Sequence, residues 1–370
     1  MAFWREAALA DPVRLRLLVE VPGPAEAAPE PGDGPPAKDE SPASPPLLTL
    51  EAGQRVQGVV EVEVLEEVEF RELQVRFFWH TEGKGNQATG ESGTRALARF
   101  GQWAPGARHR FPFRIPAPWG PLSYKGKMLN VTWDLEARLD RSLLRGEVVE
   151  KIPVHLGGSP DPEQASLGPV PQEKRKLEAA KGGLKKVWVA TGMTFLILGI
   201  LFGAVSNWEL GLTGKWALFL FMSAGFLLTL KGMWGRLGGG KLGEPSVQLS
   251  TTELRRGEEI RFSVVIRPEK PTQLRFLEVV LECEERVVDG HGQYQSRHRR
   301  TAFEERLVLA EDQQIDPHRG LRRKGTITVP SDASPSFGAP DNQIVWWLRF
   351  RGDIVGWPDW KEPFLLTVWP

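Results

Sequence analysis

A single cysteine, Cys283, stands in a chain of 370 residues. That excludes an internal disulfide and a cysteine-built zinc cluster, and it suits a reducing compartment. No charge of either sign is in excess: Lys plus Arg and Asp plus Glu number 47 each, so the chain has no electrostatic footprint for nucleic acid, and none is expected as a partner. The opening residues, MAFWREAALADPVRL, contain no apolar run ahead of a cleavage site, so no cleaved signal peptide is expected.

Catalytic constellations are missing as well. The six histidines are scattered, and His291 and His298, in DGHGQYQSRHRR, have no acidic or cysteine partner at metal-ligand spacing; they read as loop histidines. EGKGNQATGESG is rich in glycine but lacks the Gly-Lys-Ser/Thr ending of a phosphate-binding loop, so it reads as a mobile hairpin loop. Asn130 opens a glycosylation pattern, NVT, but inside an expected cytoplasmic strand, and it is discounted. No catalytic, cofactor-binding or metal residue is assigned, no cofactor is implied, and the chain is not expected to be an enzyme. A hydrolase or transferase with an unrecognised site is the remaining enzymatic reading.

What is present is strand alternation. RVQGVVEVEV puts Val56, Gly58, Val60, Val62 and Val64 on one face, and LQVRF does the same for Leu73, Val75 and Phe77. The C-terminal half answers with Ile260, Phe262, Val264 and Ile266, then Leu277, Val279, Leu281 and Cys283. The offset is constant: Gly53 and Gly257, Val56 and Ile260, Val62 and Ile266, Arg71 and Arg275, Leu73 and Leu277 all stand 204 residues apart.

A second block repeats too. HRFPFRIPAPWGPLSYKGKMLNVTWDLEARLD has a counterpart in KGTITVPSDASPSFGAPDNQIVWWLRFRGD, with Ile115-Pro116 against Val329-Pro330, Pro121 against Pro335, Ser123-Tyr124 against Ser336-Phe337, and Trp133 against Trp346 or Trp347. These matches indicate an internal duplication of roughly 130 residues per copy. Short strands punctuated by Gly and Pro, with almost no amphipathic helix, indicate antiparallel β-sandwiches. The tryptophans are expected to fill cores or rims, with ligand stacking as the alternative.

Between the copies lie two apolar stretches, 187–205 without a charge and 210–230 with only Lys215 near one end. Each is long enough for a bilayer, so a transmembrane helical hairpin is expected, a buried globular hairpin being the alternative. Basic flanks place both large segments, and both termini, on the cytoplasmic side of a bacterial inner membrane. Gly192, Gly199 and Gly203 share one helix face and Ala217 and Ala224 could meet them, either for packing within the hairpin or for self-association. Lys174, Arg175, Lys176, Lys181, Lys185 and Lys186 either contact anionic lipid headgroups or only set topology. A second basic set, Arg297, Arg299, Arg300, Arg319, Arg322, Arg323 and Lys324, belongs to the C-terminal sandwich.

The strands RELQVRFFW and GQRVQGVVEVEV, with the block closing FPFRIP, then PLSY, then WDLEARLD, resemble the N-terminal domain of the arrestin family. RRGEEIRFSVVI and TITVPSDASPSF are similar to its companion domain, as also found in bacterial sporulation-control and retromer arrestin-fold proteins. The resemblance implies a non-catalytic binding scaffold and carries over no functional residue. The expected fold is thus mainly β, two tandem arrestin-like antiparallel β-sandwiches separated by the hairpin. Its parts are 1–156 (with 21–46 a disordered Pro-rich loop), a linker and basic juxtamembrane helix at 157–186, the hairpin at 187–231, a Gly-rich linker at 232–245, and the second sandwich at 246–370. The expected function is a membrane-anchored adaptor or scaffold for a protein partner. The alternative is an accessory subunit that docks on a membrane complex through the hairpin.

Overall fold

The computed structural model of the chain describes residues 12–20, 47–141, 146–169, 223, 245–356 and 359–370. The first half is built of β1 (Val13–Glu20), β2 (Leu48–Glu51), β3 (Arg55–Val64), β4 (Val68–Gly83), β5 (Thr89–Trp103), β6 (Arg108–Pro116), β7 (Tyr124–Lys125), β8 (Leu129–Arg141) and β9 (Glu147–Gly157). The second half is built of β10 (Ser246–Leu249), β11 (Glu253–Arg255), β12 (Glu259–Ile266), β13 (Thr272–Asp289), β14 (Ser296–Ile315), β15 (Leu321–Thr328), β16 (Phe337–Gly338), β17 (Asn342–Ile354) and β18 (Trp360–Trp369).

The halves share one topology. A three-stranded sheet runs β1-β3-β6 in the first and β10-β12-β15 in the second; a six-stranded sheet runs β2-β9-β8-β4-β5 and β11-β18-β17-β13-β14, with β7 and β16 added to β8 and β17. Adding nine to each strand number converts one half into the other. Even the exception repeats: β2 runs parallel to β9, and β11 parallel to β18, whereas the other pairings are antiparallel. The mainly β class and the duplication expected from the sequence are therefore present.

Period-two alternation explains the cores. Val56, Val60, Val62 and Val64 of β3 and Leu73, Val75 and Phe77 of β4 are buried, as are Ile260, Phe262, Val264 and Ile266 of β12 and Leu277, Val279, Leu281 and Cys283 of β13. Their inward faces meet across the two sheets of each half and exclude water, at roughly 25 cal/mol per Å² of apolar surface. The turn into β3 and β12 is also copied. Gly53 and Gly257 take φ of 77° and 82°, conformations glycine adopts without steric cost. Glu51 and Arg255 then donate their backbone N–H to the side chains of Gln54 and Glu258, at 2.9 and 2.7 Å.

The structure decides between the two tryptophans left open by the sequence. Trp133 donates its indole N–H to the Pro121 carbonyl at 2.7 Å, and Trp346 donates to the Ser334 carbonyl at 2.9 Å, each reaching twelve residues back. Trp346, not Trp347, is the counterpart of Trp133; both are 1% exposed and fill the cores. Ser123 and Ser336 match as well. Each accepts the backbone N–H of the final strand of its half, from Leu156 at 2.9 Å and from Val368 at 3.0 Å.

One block of the repeat needs shifting. Val56 pairs with Ile115 and Ile260 with Ile327, so the counterpart of Val329-Pro330 is Ala117-Pro118 rather than Ile115-Pro116. A slip of two residues keeps every side chain on its proper face, which is why the alternation could not reveal it.

The integral-membrane localisation expected from the sequence is corrected. Among the described residues no helix is long and apolar enough to cross a membrane; the helical content described is a 3₁₀ turn at Gly292–Tyr294 and the single residue Ser223. The apolar length of 187–205 and 210–230 was the whole basis for that expectation, and both stretches, with Gly192, Gly199, Gly203, Ala217 and Ala224, lie outside the described residues apart from Ser223. The Pro-rich stretch 21–46 and the basic set from Lys174 to Lys186 lie outside them too.

Both halves carry a non-glycine residue of positive φ at corresponding points of an edge strand, Phe100 at 43° and Asp312 at 41°. Phe100 is 81% exposed, so its ring does not offset the strain. Left-handed backbone costs an L-residue about 1–2 kcal/mol, so Phe100→Gly is expected to be more stable than Phe100→Ala by about 1 kcal/mol. Urea unfolding of the two variants measures this, and equal midpoints would contradict it.

Candidate functional site

The halves meet in a polar crossing, and it is assembled from corresponding positions. Along β13 the inward row reads Leu277, Val279, Leu281, Cys283, Glu285, Val287, so a carboxylate occupies an apolar row. Glu285 is 2% exposed, and its carboxylate is taken up by the first half. Oε1 accepts the Tyr124 hydroxyl at 2.7 Å and the Lys127 N–H at 3.1 Å, and Oε2 accepts the Met128 N–H at 2.7 Å. A Cβ on Gly126 would lie 2.2 Å from Oε1, so the turn between β7 and β8 closes on the carboxylate only because residue 126 has no side chain.

Position 285 corresponds to position 81, where β4 carries Thr81 in the row Leu73, Val75, Phe77, Trp79. Thr81 Oγ1 accepts the Asn342 side-chain amide at 3.1 Å, from the start of β17 in the other half. Each half thus sends the same point of its central strand into the turn before the neighbouring strand of the other.

Asn86, in the turn between β4 and β5, completes the crossing. Its side-chain amide donates to Gly290 O at 3.0 Å and to Asp341 Oδ2 at 2.9 Å, its Oδ1 accepts Gly290 N–H at 3.1 Å, and its carbonyl accepts Asn342 Nδ2 at 2.6 Å. The backbone N–H of Asn86 donates to Val288 O at 2.8 Å. The turn expected to be a mobile hairpin loop is therefore docked on the opposite half. The Asn86 amide also lies 3.4 Å from His291 Nδ1, and its bonds to Gly290 and Val288 satisfy backbone groups that the end of a sheet otherwise leaves unpaired.

Residues 158–169, expected to be plain linker, lie across both halves. Ser166 N–H donates to Trp119 O and Leu167 O accepts from Gly338 N–H, at 3.2 and 2.8 Å. Ser159 Oγ reaches Pro370 O at 3.0 Å, Arg256 donates to Gly158 O at 2.7 Å, and Arg255 pairs with Asp161 at 2.8 Å. Trp79 and Phe337 add an edge-to-face ring contact across the boundary, centroids 5.9 Å apart.

Burial governs the titrating groups here. It raises the Tyr124 phenol well above its ordinary range, aided by the hydrogen bond to Glu285, and it pushes the Cys283 thiol up to about 12, aided by Glu285 and Glu284. Both groups keep a proton in the folded chain that the unfolded chain releases. Their contribution is therefore complete below the unfolded values and is lost as pH rises toward the folded ones. Stability should therefore fall as pH rises through about 9 to 12, with the half-buried Tyr124 contributing less than its full shift because solvent screens it. In a Tyr294→Phe background the only remaining phenol is Tyr124. Its phenolate absorbance is then expected only together with unfolding; its appearance in a folded protein near pH 10 would contradict the assignment.

Elsewhere charge pairs with charge. On the outer face of the second six-stranded sheet, Glu284 is fully buried and accepts Arg286 Nε at 2.8 Å and Arg349 Nη2 at 2.7 Å, while Arg349 also pairs with Glu282. Arg286 and Arg349 both stack on Trp347, 5.1 and 5.2 Å from its ring. The counterpart face carries Arg76 between Glu91 and Glu136, with Arg76 and Lys151 against Phe78. These side chains neutralise one another and present no free nucleophile and base.

Of the residues singled out by sequence, His291 sits in an exposed turn and His298 lies within β14, so the second is strand rather than loop. No group of three or more His, Cys, Asp or Glu suited to a metal ion occurs among the described residues. Asn130 uses its amide oxygen to accept Gly126 N–H at 3.1 Å. The second basic set divides: Arg297, Arg299 and Arg300 belong to β14, Arg319 precedes β15, and Arg322, Arg323 and Lys324 lie on β15. Glu285 and Asn86 were not found from the sequence. An acid in the inward parity of β13 was the available signal for the first.

No family model and no curated protein matches the chain. Among solved structures it is similar to Spo0M, a sporulation control protein from Bacillus subtilis, at 19% identity with a TM-score of 0.28. The match covers 34% of this chain and 49% of that one, about half its length. A likeness of that size assigns neither fold nor function, and the mainly β class stands on the strands and sheets themselves.

Proposed function

We propose that the chain is a non-catalytic adaptor of the arrestin-like type, two β-sandwiches held as one body that offers strand edges and loops to a protein partner. The observation that carries this reading is the reciprocal crossing: Glu285 on the turn of the first half, Thr81 and Asn86 on the turn of the second. Buried polar bonds between two copies of one fold fix their relative placement, and a fixed pair of sheets suits recognition. The repeated topology supports the arrestin-like reading of each sandwich. The polar groups of the crossing are spent on each other rather than gathered around a cavity.

The test is in-cell crosslinking with the crosslinked residues located by mass spectrometry. Reproducible crosslinks from sandwich strands or loops to the same partner proteins are expected. Turnover of any substrate that is lost on replacing one specific Asp, His or Ser would overturn the reading.

A further inference from the structure

We propose that the open edge of β14, over residues 296–303, docks an extended acidic segment of a partner protein, which adds to the sheet as one more strand. This rests on the adaptor reading and names its surface and its partner's chemistry.

β14 is 20 residues long, ends its sheet, and among the described residues pairs with β13 alone. An outermost strand presents a row of N–H and C=O groups to which another strand can add. Of the other edges, β1 carries Glu20 beside only two arginines, and the rest are short or tied. β2, β10 and β11 have four, four and three residues. β5, the counterpart of β14, is fastened to β6 by Arg95, which donates to Arg114 O at 2.8 Å. The second part of β14 is fastened likewise, by Arg323 to Leu309 O at 2.9 Å and to Gln313 at 2.8 Å. What stays open is the first part.

That part carries cations on both faces, with Arg299 also 3.5 Å from the Glu284 carboxylate. Its register against β13 sets Arg297 opposite Val288, His298 opposite Val287, Arg299 opposite Arg286 and Arg300 opposite Glu285. Successive residues alternate, so Arg297 and Arg299 stand on one face and His298 and Arg300 on the other. The stretch SRHRRTAF contains no acid. A flat polyanion, a membrane or a duplex, would engage one face. Cations flanking the edge on both faces suit a strand that itself shows side chains both ways, with Glu or Asp at both parities.

The test is fluorescence anisotropy of the full chain with a fluorescein-labelled Glu/Val peptide of about eight residues, roughly the length of the open edge. Saturable binding with a Kd on the order of 10–100 μM at low salt is expected. Arg297→Glu, Arg299→Glu and Arg300→Glu combined should weaken it at least tenfold, while the three Arg→Lys changes combined should leave it within about threefold. The same peptide with alternate amides N-methylated keeps its charge and loses its donors, and it too should weaken at least tenfold, without any change to the protein. Amide exchange should slow over residues 296–303 when the peptide is bound.

Equal binding of the N-methylated peptide, equal binding of a Lys/Val peptide, or no saturation would overturn the proposal. So would tighter binding of phosphatidylserine vesicles or single-stranded RNA than of the peptide. Any of these leaves the adaptor reading to its own test, since crosslinks to partners elsewhere on the sandwiches, or substrate turnover, are separate outcomes.

Discussion

Glu285→Ala will unfold at a distinctly lower urea concentration than the parent chain, with a loss of about 3–5 kcal/mol. The size follows from what is left behind. Removing the carboxylate strands the Tyr124 hydroxyl and the N–H groups of Lys127 and Met128, all of which reach into a site only 2% exposed at its centre. Each buried donor without an acceptor costs about 1–3 kcal/mol, and relaxation of the turn recovers part of the sum. Glu285→Gln keeps one oxygen acceptor and should lose about half as much. A second readout separates this from a general core defect. Exchange of the amides of residues 127 and 128 should accelerate in Glu285→Ala far more than exchange along β3 or β12, because the bonds removed lie at the crossing. A midpoint within experimental error of the parent would show that the crossing contributes nothing.

The second large effect concerns the paired tryptophans. Trp346→Ala and Trp133→Ala each empty a site that is 1% exposed and leave a carbonyl, of Ser334 or Pro121, without its indole donor. A large-to-small change of this kind costs about 3–5 kcal/mol, and the matched environments predict similar losses in the two halves. Calorimetry gives the sharper outcome. If the crossing joins the halves into one cooperative unit, either substitution lowers a single transition. Two transitions, with only the mutated half shifted, would show that the halves melt independently.

These effects also mark where sequence and structure part. Val56, Val60 and Val62, or Ile260, Phe262 and Val264, announce buried strands because a two-residue period has one plausible cause. The constant spacing of 204 carries that inference from one half to the other and places Thr81 against Glu285 without coordinates. What the period does not encode is which position contacts the other copy. Asn86 lies in a glycine-rich turn whose composition reads as solvent-facing, yet its hydrogen bonds are tertiary and reach residues more than 200 positions away, among them Gly290, Asp341 and Asn342. The mismatch of Ile115-Pro116 had the same origin: parity is insensitive to a shift of two, and only cross-strand pairing fixes register. Apolar length alone at 187–205 and 210–230 was the basis for the membrane reading, and no described helix supports it.

Edge strands raise a different contrast. Charges along an exposed edge ordinarily discourage unwanted pairing, and Arg297, Arg299 and Arg300 line this one. The same charges select a partner of opposite sign. Protection and recognition are then one property viewed from two partners.

The reciprocal contacts at positions 81 and 285 carry a consequence for how such a pair can change over time. If two separate identical chains met this way, one residue would have to serve on both sides of the dyad, and any substitution would be felt twice. Joined in a single chain, the copies are released from that constraint. One side has become a hydroxyl that receives an amide, the other a carboxylate that receives a phenol and two peptide groups. Within one chain the two contacts can be adjusted separately, and each sandwich can carry an edge the other lacks.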